Sequence, residues 1–313
     1  MTSIKTQSTN NRMISMVQDY IDLCKPRVVA LMVFTALVGM LLATPGEVGL
    51  YPLIFGTLGI GLVASAAAAI NQLADQHVDA MMTRTQSRPL PSGHLDSWHV
   101  LIFATVIGTF GMWILISFVN SLTAWLCFSS LVGYAVVYTL YLKRATPQNI
   151  VIGGAAGATP PLLGWTAVTG TVDPHALLLF MIIFTWTPPH FWSLALYRKD
   201  EYSKANIPML PVTHGEDYTR LHIFLYTLLL FAVTILPYLT AMSGLIYLHG
   251  AIVLDTIFLY YSYALLRNPS PELAIRTFIY SIVYLMLLFA LLLLDRYLLV
   301  FMPNSIGILG NLL

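Results

Sequence analysis

The sequence predicts an all-α, polytopic membrane protein: nine transmembrane helices surrounding a central cavity, with the amino terminus cytoplasmic and the carboxyl terminus outside. Three observations lead there. Of the 313 residues, 58% are hydrophobic and only 9% charged, with a mean hydropathy of +0.77, whereas a soluble domain carries about 25% charged residues. Apolar runs recur at close to the ~20 residues a helix needs to cross a bilayer. The basic residues gather on alternate connections, the pattern of cytoplasmic loops. The lipid bilayer is therefore the chain's natural solvent. A net charge of +1 with no basic cluster gives no reason to expect a nucleic acid partner.

Taken in order, the apolar runs fall at 28–44, 50–70, 99–119, 122–142, 148–168, 175–195, 221–241, 244–266 and 277–300. Only Asn120 and Ser121 divide the third from the fourth, and only Ser243-Gly244 divides the seventh from the eighth. With the amino end inside, the cytoplasmic segments hold Lys5, Arg12, Lys25, Arg27, Arg84, Arg88, Lys143, Arg144, Arg198, Lys199, Lys204, Arg220, Arg267 and Arg276. That is 14 of the 15 Lys and Arg residues, leaving Arg296 for the other side. One helix missed or invented early in the chain would destroy this bias. The organisation that follows is a polar cytoplasmic segment at 1–24, a single intramembrane domain at 25–300 and a short tail at 301–313. Residues 1–20 lack the apolar stretch and small-residue site of a cleavable signal. Cys24 and Cys127 fall near opposite faces, so no disulfide is expected.

Two connections are long, about 71–98 and 196–220, and both fall on the cytoplasmic side. They read alike, one ending in RPLPSGHLDSW and the other in IPMLPVTHGEDY. The pair suggests a faint internal repeat, two bundles facing one cavity.

The richest stretch is Asn71–Pro91, NQLADQHVDAMMTRTQSRPLP. Asn71, Asp75 and Asp79 are spaced by four, so on a helix they share one face. Two carboxylates that close repel each other unless a cation lies between them. Oxygen donors suit a hard divalent ion, and Mg²⁺ characteristically takes one or two carboxylates and shares its remaining sphere with substrate phosphates. Arg84 and Arg88 follow, and the guanidinium fork is well shaped to hold phosphate oxygens. The bland reading is a solvated loop with ordinary caps, but a helix end has no need of two carboxylates on one face. A metal-assisted diphosphate site accounts for the whole set.

A second constellation runs from Trp186 to Tyr202, WTPPHFWSLALYRKDEY. Pro188 and Pro189 are expected to kink or break their helix, freeing carbonyls where a cavity can form. His190 then lies inside a membrane span, where an ionisable group is a functional candidate by default. The spacing of His190, Tyr197 and Glu201 places them on one face if the helix continues, and Asp200 adds another carboxylate. Between the two stretches, Lys143 and Arg144 close a helix near where a diphosphate would sit, although a basic pair at a helix end can be topology signal alone. Gly153, Gly154 and Gly157 allow close helix approach, and Pro160-Pro161 should break the fifth span.

These residues carry a resemblance. NxxxDxxxD, a second acidic motif on a later cytoplasmic loop, and KR before PQNIVIGG resemble the intramembrane, UbiA-type aromatic prenyltransferase superfamily. Within it, MTRTQSRPLPSG, TPQNIVIGGAAGATPPLLGW and TPPHFWSLALYRKDEYSKANIPMLPVTHG are similar to the protohaem IX farnesyltransferase (haem O synthase) branch. The likeness runs from about Lys25 to the last helix. It implies Asn71, Asp75 and Asp79 as metal and diphosphate ligands. Arg84 and Arg88 become diphosphate or haem-propionate partners, joined by Lys143 and Arg144 at the diphosphate, and His190 a residue on the haem side. Asp75, Asp79, Arg84, Arg88 and His190 make up the implied catalytic set. Other branches carry DxxxD in the second motif; here His190 and Tyr197 stand there, with Asp200 and Glu201 beyond, which leaves a second metal in question.

The resemblance further implies farnesyl diphosphate and protohaem IX as substrates and Mg²⁺ (or Mn²⁺) as cofactor. It implies a bacterial-type inner membrane, and a haem A synthase or terminal oxidase as pathway partner. A prenyltransferase acting on a quinone precursor and an ion-coupled transporter with broken helices remain as rival readings. The acidic groups fall at helix ends beside arginines, not at the midplane, which speaks against the transporter.

Overall fold

The structure, a computed structural model, describes residues 15–44 and 46–301, with side chains through Leu298. Lys5, Arg12 and the tail beyond Phe301 lie outside the described residues. Among the described residues the repetitive structure is entirely helical. Helix α1 (Ser15–Leu23) and α2 (Pro26–Leu42) meet at a 50° bend. Then come α3 (Pro52–Met81), α4 (Ser97–Phe118) and α5 (Ser121–Ala145). Two short helices follow, α6 (Asn149–Gly157) and α7 (Pro160–Thr169), before the long α8 (Pro174–Tyr197). The short α9 (Lys199–Lys204) and α10 (Leu210–Thr213) lead to α11 (Glu216–Leu239), α12 (Leu245–Arg267) and α13 (Pro271–Phe301).

Seven of these helices are singly long and apolar enough to cross a membrane, and the bent α1–α2 pair supplies an eighth. The stretch at 148–168 is divided where Pro160-Pro161 was expected to break it. Pro160 opens α7 because its missing N–H and fixed φ suit a first turn and no interior position. Asn120 separates α4 from α5 as the sequence indicated, its side chain accepting the Thr123 N–H at 2.8 Å. Ser15–Leu23, inside the polar amino-terminal segment, is helical; Leu23 is buried with Ala69, Leu90, Leu95 and Val100. Cys24 and Cys127 are free thiols.

The prolines of α8 behave unlike those of α7. The helix runs unbroken through Pro188 and Pro189. Its span is 61% buried, the largest share of any, and it packs against α6, α7, α11 and α13. Neighbouring helices and side-chain hydroxyls hold a proline-containing helix together in a membrane, and here Thr185, Thr187 and Ser193 each donate to a carbonyl of α8. Packing overrides the local breaking signal.

Buried acids elsewhere in the bundle serve as ties between helices. Asp295 of α13 accepts the Gly244 and Tyr247 N–H groups at 2.5 and 3.1 Å, capping α12. Asp255 of α12 accepts from Tyr284 at 2.6 Å and Thr234 at 2.7 Å, joining α11, α12 and α13. Nearer the basic end, Val78 of α3 and Met82 just past its end share an apolar cluster with Trp192 and Ala195 of α8 and Tyr202 of α9. That cluster brings the two long connections side by side.

Small residues set the tightest contact. A Cβ placed on Gly164 would lie 1.9 Å from the Ala36 carbonyl oxygen, and one on Gly39 would lie 2.1 Å from that of Pro161. The glycine run of α6 is used unevenly: Gly153 sits against the Tyr138 ring, while Gly157 faces open space. Because the obstruction at Gly164 is backbone, Gly164→Ala is expected to force α2 from α7 and destabilise the protein by about 1–3 kcal/mol. Thermal unfolding in detergent checks this, with Gly157→Ala as the neutral comparison.

Candidate active site

The last turns of α3 place Asn71, Asp75 and Asp79 on one inward face, 4%, 3% and 5% exposed, while His77 points outward. A carboxylate taken from water must find a positive partner or lose its charge. Each finds one. Lys143 Nζ, at the end of α5, lies 2.7 Å from Asp75 Oδ2. Arg88 Nη1 lies 2.6 Å from Asp79 Oδ2. The loop after α3 makes the second pair by folding back: Thr85 and Gln86 N–H groups donate to the Met82 carbonyl, and the Thr85 hydroxyl donates to that of Asp79 at 3.0 Å.

Asn71 organises the cluster. Its Nδ2 donates to Asp75 Oδ2 at 3.0 Å and to Thr139 Oγ1 at 3.1 Å, and its Oδ1 accepts from Lys25. Lys25 stands at the α1–α2 bend with φ +50°. A left-handed conformation in a non-glycine residue costs on the order of 1 kcal/mol or more and persists where surroundings enforce it. Thr139 lies in a π-helical stretch of α5, Gly133–Leu142, where its hydroxyl donates to the Tyr134 carbonyl at 2.7 Å. Such widened turns are rare and recur at functional sites. Here the stretch also stacks Tyr134 on Tyr138, centroids 5.6 Å apart.

The donor set fits a hard divalent ion. Asp75 Oδ1 is buried and has no hydrogen-bond partner, so one carboxylate oxygen is already free. Two carboxylates and an amide supply only oxygen, the choice of Mg²⁺ and Mn²⁺, and leave positions for phosphate or water. Among the described residues no cluster of three or more His, Cys, Asp or Glu is placed to hold a metal.

The second acidic stretch is divided by the end of α8. Because that helix stops at Tyr197, Glu201 belongs to α9, and the shared face expected for His190, Tyr197 and Glu201 does not form. Tyr197 is 43% exposed. Tyr197 and Asp200 line a cleft of ≈ 250 Å³ with Lys199, Glu216 and Arg220, away from the α3 acids. Glu201 pairs with Arg198 and keeps Oε2 buried and unpaired. Arg84 is exposed, and the groups that act on its guanidinium are Tyr202, Arg88, Arg198 and Asp79. Burial raises the Tyr202 phenol above its ordinary pKa while Arg84 and Arg198 pull the other way. Arg144 is exposed at its helix end.

The structure therefore gathers Asn71, Asp75, Asp79, Arg88 and Lys143, sets Arg84 and Glu201 at the margin, and leaves Arg144, Tyr197 and Asp200 outside. His190 lies buried on α8, with its own partner on α13. Sequence reasoning missed Lys25, Thr139, Tyr202 and Arg198. Lys25 and Arg198 were visible as charges but counted only toward topology; the π-helical stretch that delivers Thr139 has no such signal.

Fold and site together define a membrane-embedded helical protein with a buried, oxygen-rich centre ringed by cations. The chain belongs to the UbiA prenyltransferase family, whose profile matches residues 32–291. A protoheme IX farnesyltransferase of Teredinibacter turnerae is 61% identical over 281 residues, 90% of either chain. Two solved structures share the fold. A digeranylgeranylglyceryl phosphate synthase aligns with a TM-score of 0.75 at 18% identity, covering 90% of this chain and 98% of that one. A UbiA homologue from Archaeoglobus fulgidus bound to DMAPP and Mg²⁺ aligns with a TM-score of 0.59 at 16% identity, covering 88% and 99%.

Removing one partner of a buried pair strands the other charge, at about 3–5 kcal/mol. Lys143→Met is thus expected to destabilise the protein strongly, and Asp75→Asn on that background to recover most of the loss. A double-mutant cycle of thermal unfolding in detergent reads the coupling.

Proposed function

We propose that the protein transfers a farnesyl group from farnesyl diphosphate to a vinyl group of protohaem IX, giving haem O and pyrophosphate. The observation that carries this reading is the extent of the likeness: relatives named protoheme IX farnesyltransferase are about 60% identical over some nine-tenths of the chain. The α3 centre supplies chemistry to match.

Farnesyl transfer begins with heterolysis of an allylic C–O bond. The electron pair leaves with pyrophosphate, and an allylic cation remains on the fifteen-carbon chain. Arg88 and Lys143, now neutralising Asp79 and Asp75, and Lys25, now donating to the Asn71 amide oxygen, stand ready to bind phosphate oxygens, with Arg84 at the rim. Asn71, Asp75 and Asp79 would hold a divalent cation, Mg²⁺ or Mn²⁺, whose contribution when bound is to neutralise charge on the departing pyrophosphate. With the carboxylates so occupied, Arg88 and Lys143 would be free to turn to the substrate.

The vinyl π electrons then form the new C–C bond, and the cation passes to the carbon beside the porphyrin. Water adds there and loses a proton, completing a hydroxyethylfarnesyl group. Water must be kept from the first cation and admitted to the second. The stacked Tyr134 and Tyr138 rings next to Asp75 offer π faces to the first, and the apolar bundle accommodates the isoprenoid.

Topology completes the proposal. The basic end faces the cytoplasm of a bacterial-type inner membrane, the broken α6–α7 pair makes a ninth crossing, and residues 25–300 act as one domain. The product passes to a haem A synthase or terminal oxidase.

Membranes containing the chain, given farnesyl diphosphate, protohaem and Mg²⁺ without any ion gradient, are expected to yield haem O by mass. Prenylation of a phenolic acceptor with haem untouched would contradict the assignment. Asp75→Asn is expected to lower turnover by about 10²-fold or more, while haem binding followed by absorbance survives.

A further inference from the structure

His190 is held so that one ring nitrogen is committed and the other is not. Its ring lies between Trp186, with centroids 4.2 Å apart and 19° between planes, and Phe278, at 4.6 Å and 27°. Phe191 meets it edge-on at 4.9 Å. Nδ1 lies 2.7 Å from Ser281 Oγ on α13, and that hydroxyl lies 2.6 Å from the Phe278 carbonyl oxygen. Two oxygens so close repel unless a hydrogen lies between them, and only the serine has one to give. The serine hydrogen is therefore committed to Phe278, its lone pair faces the histidine, and Nδ1 must carry the ring proton. Trp186 Nε1 donates to the Ser281 carbonyl at 2.8 Å, fixing the same turn of α13 against α8.

What remains is a neutral imidazole whose unshared pair is on Nε2. That atom has no hydrogen-bond partner among the described residues, and the residue retains 8% of its surface. No charged side chain acts on the ring, so an imidazolium formed here would have no counter-charge. A dative bond from Nε2 creates no such charge. Histidines that ligate metals commonly donate their other N–H to a neighbouring oxygen, which fixes both tautomer and orientation. Ser281 occupies that role.

We infer that Ser281 is a positioning residue, holding His190 as the Nδ1–H tautomer so that Nε2 donates its electron pair to the iron of the acceptor porphyrin. This rests on protohaem being the acceptor. It makes α8 the element that seats the porphyrin and α3 the one that handles the diphosphate. The prolines before His190 then lie in a helix whose rotation is pinned at Ser281.

The test is resonance Raman spectroscopy of ferrous protohaem bound to the full-length protein in nanodiscs, with steady-state kinetics alongside. The wild type is expected to show an iron–imidazole stretch that vanishes in His190→Gly and returns with added imidazole. Ser281→Ala is expected to lower the stretching frequency and kcat with an unchanged KM for farnesyl diphosphate, and Ser281→Thr, which keeps the hydroxyl, to restore both. Identical spectra for haem-loaded wild type and His190→Gly would overturn the ligation. Wild-type behaviour in Ser281→Ala, or no recovery in Ser281→Thr, would overturn the positioning role. If the wild type binds no haem but prenylates a phenolic acceptor, the acceptor assignment itself has failed and this inference goes with it.

Discussion

Two carboxylates buried four residues apart on one helix face cannot remain charged without cations beside them, and that requirement shapes the basic end of this protein. Lys143 arrives from α5, Arg88 from a loop folded back under α3, and Lys25 from a bend in left-handed backbone. Each comes from a different part of the chain. A buried ion pair is a poor source of stability, because the desolvation of both charges offsets most of their attraction. Apolar side chains of similar volume would serve packing as well or better. Two such pairs beside one unpaired carboxylate oxygen fit the anionic, cation-requiring ligand proposed above better than any need of the fold.

The rest of the bundle separates this polar centre from the apolar machinery. An apolar cluster shared by α3, α8 and α9 holds the two connections together, and Tyr202 provides a hydroxyl between Arg84 on one and Arg198 on the other. Deeper in, α8 is the most enclosed span and carries His190 on a turn locked to α13. Away from both places, Asp255 and Asp295 are engaged in joining α11, α12 and α13. Asp75 Oδ1 and His190 Nε2, by contrast, have no hydrogen-bond partner among the described residues.

How much was legible in the sequence depended on whether the signal was local. The spacing of Asn71, Asp75 and Asp79 dictates a common face for any helix, and the structure has that face. Asn120 interrupted the hydrophobic run, and the structure shows its side-chain oxygen capping the next helix. Pro160 breaks its span as expected whereas Pro188 leaves its helix unbroken, although both belong to Pro-Pro pairs: the first opens a helix, where proline is at ease, and the second is enclosed by neighbours that hold the helix through it. The supposed face joining His190 to Glu201 assumed a helix that ends at Tyr197. Thr139 could not have been found, since a π-helical stretch shifts the register by which side chains are assigned to faces. Lys25 could have been: a lysine between a polar segment and Pro26-Arg27 marks a break as well as a charge.

The account turns on the place where the diphosphate sits. A cryo-electron microscopy structure with a non-hydrolysable farnesyl thiodiphosphate and Mg²⁺ addresses it directly. Phosphate density within hydrogen-bond reach of Arg88 and Lys143, with the ion against Asp75 and Asp79, is the predicted result. Diphosphate seated instead in the cleft beside Asp200 and Arg220, with the Lys143–Asp75 and Arg88–Asp79 pairs unchanged, would contradict it.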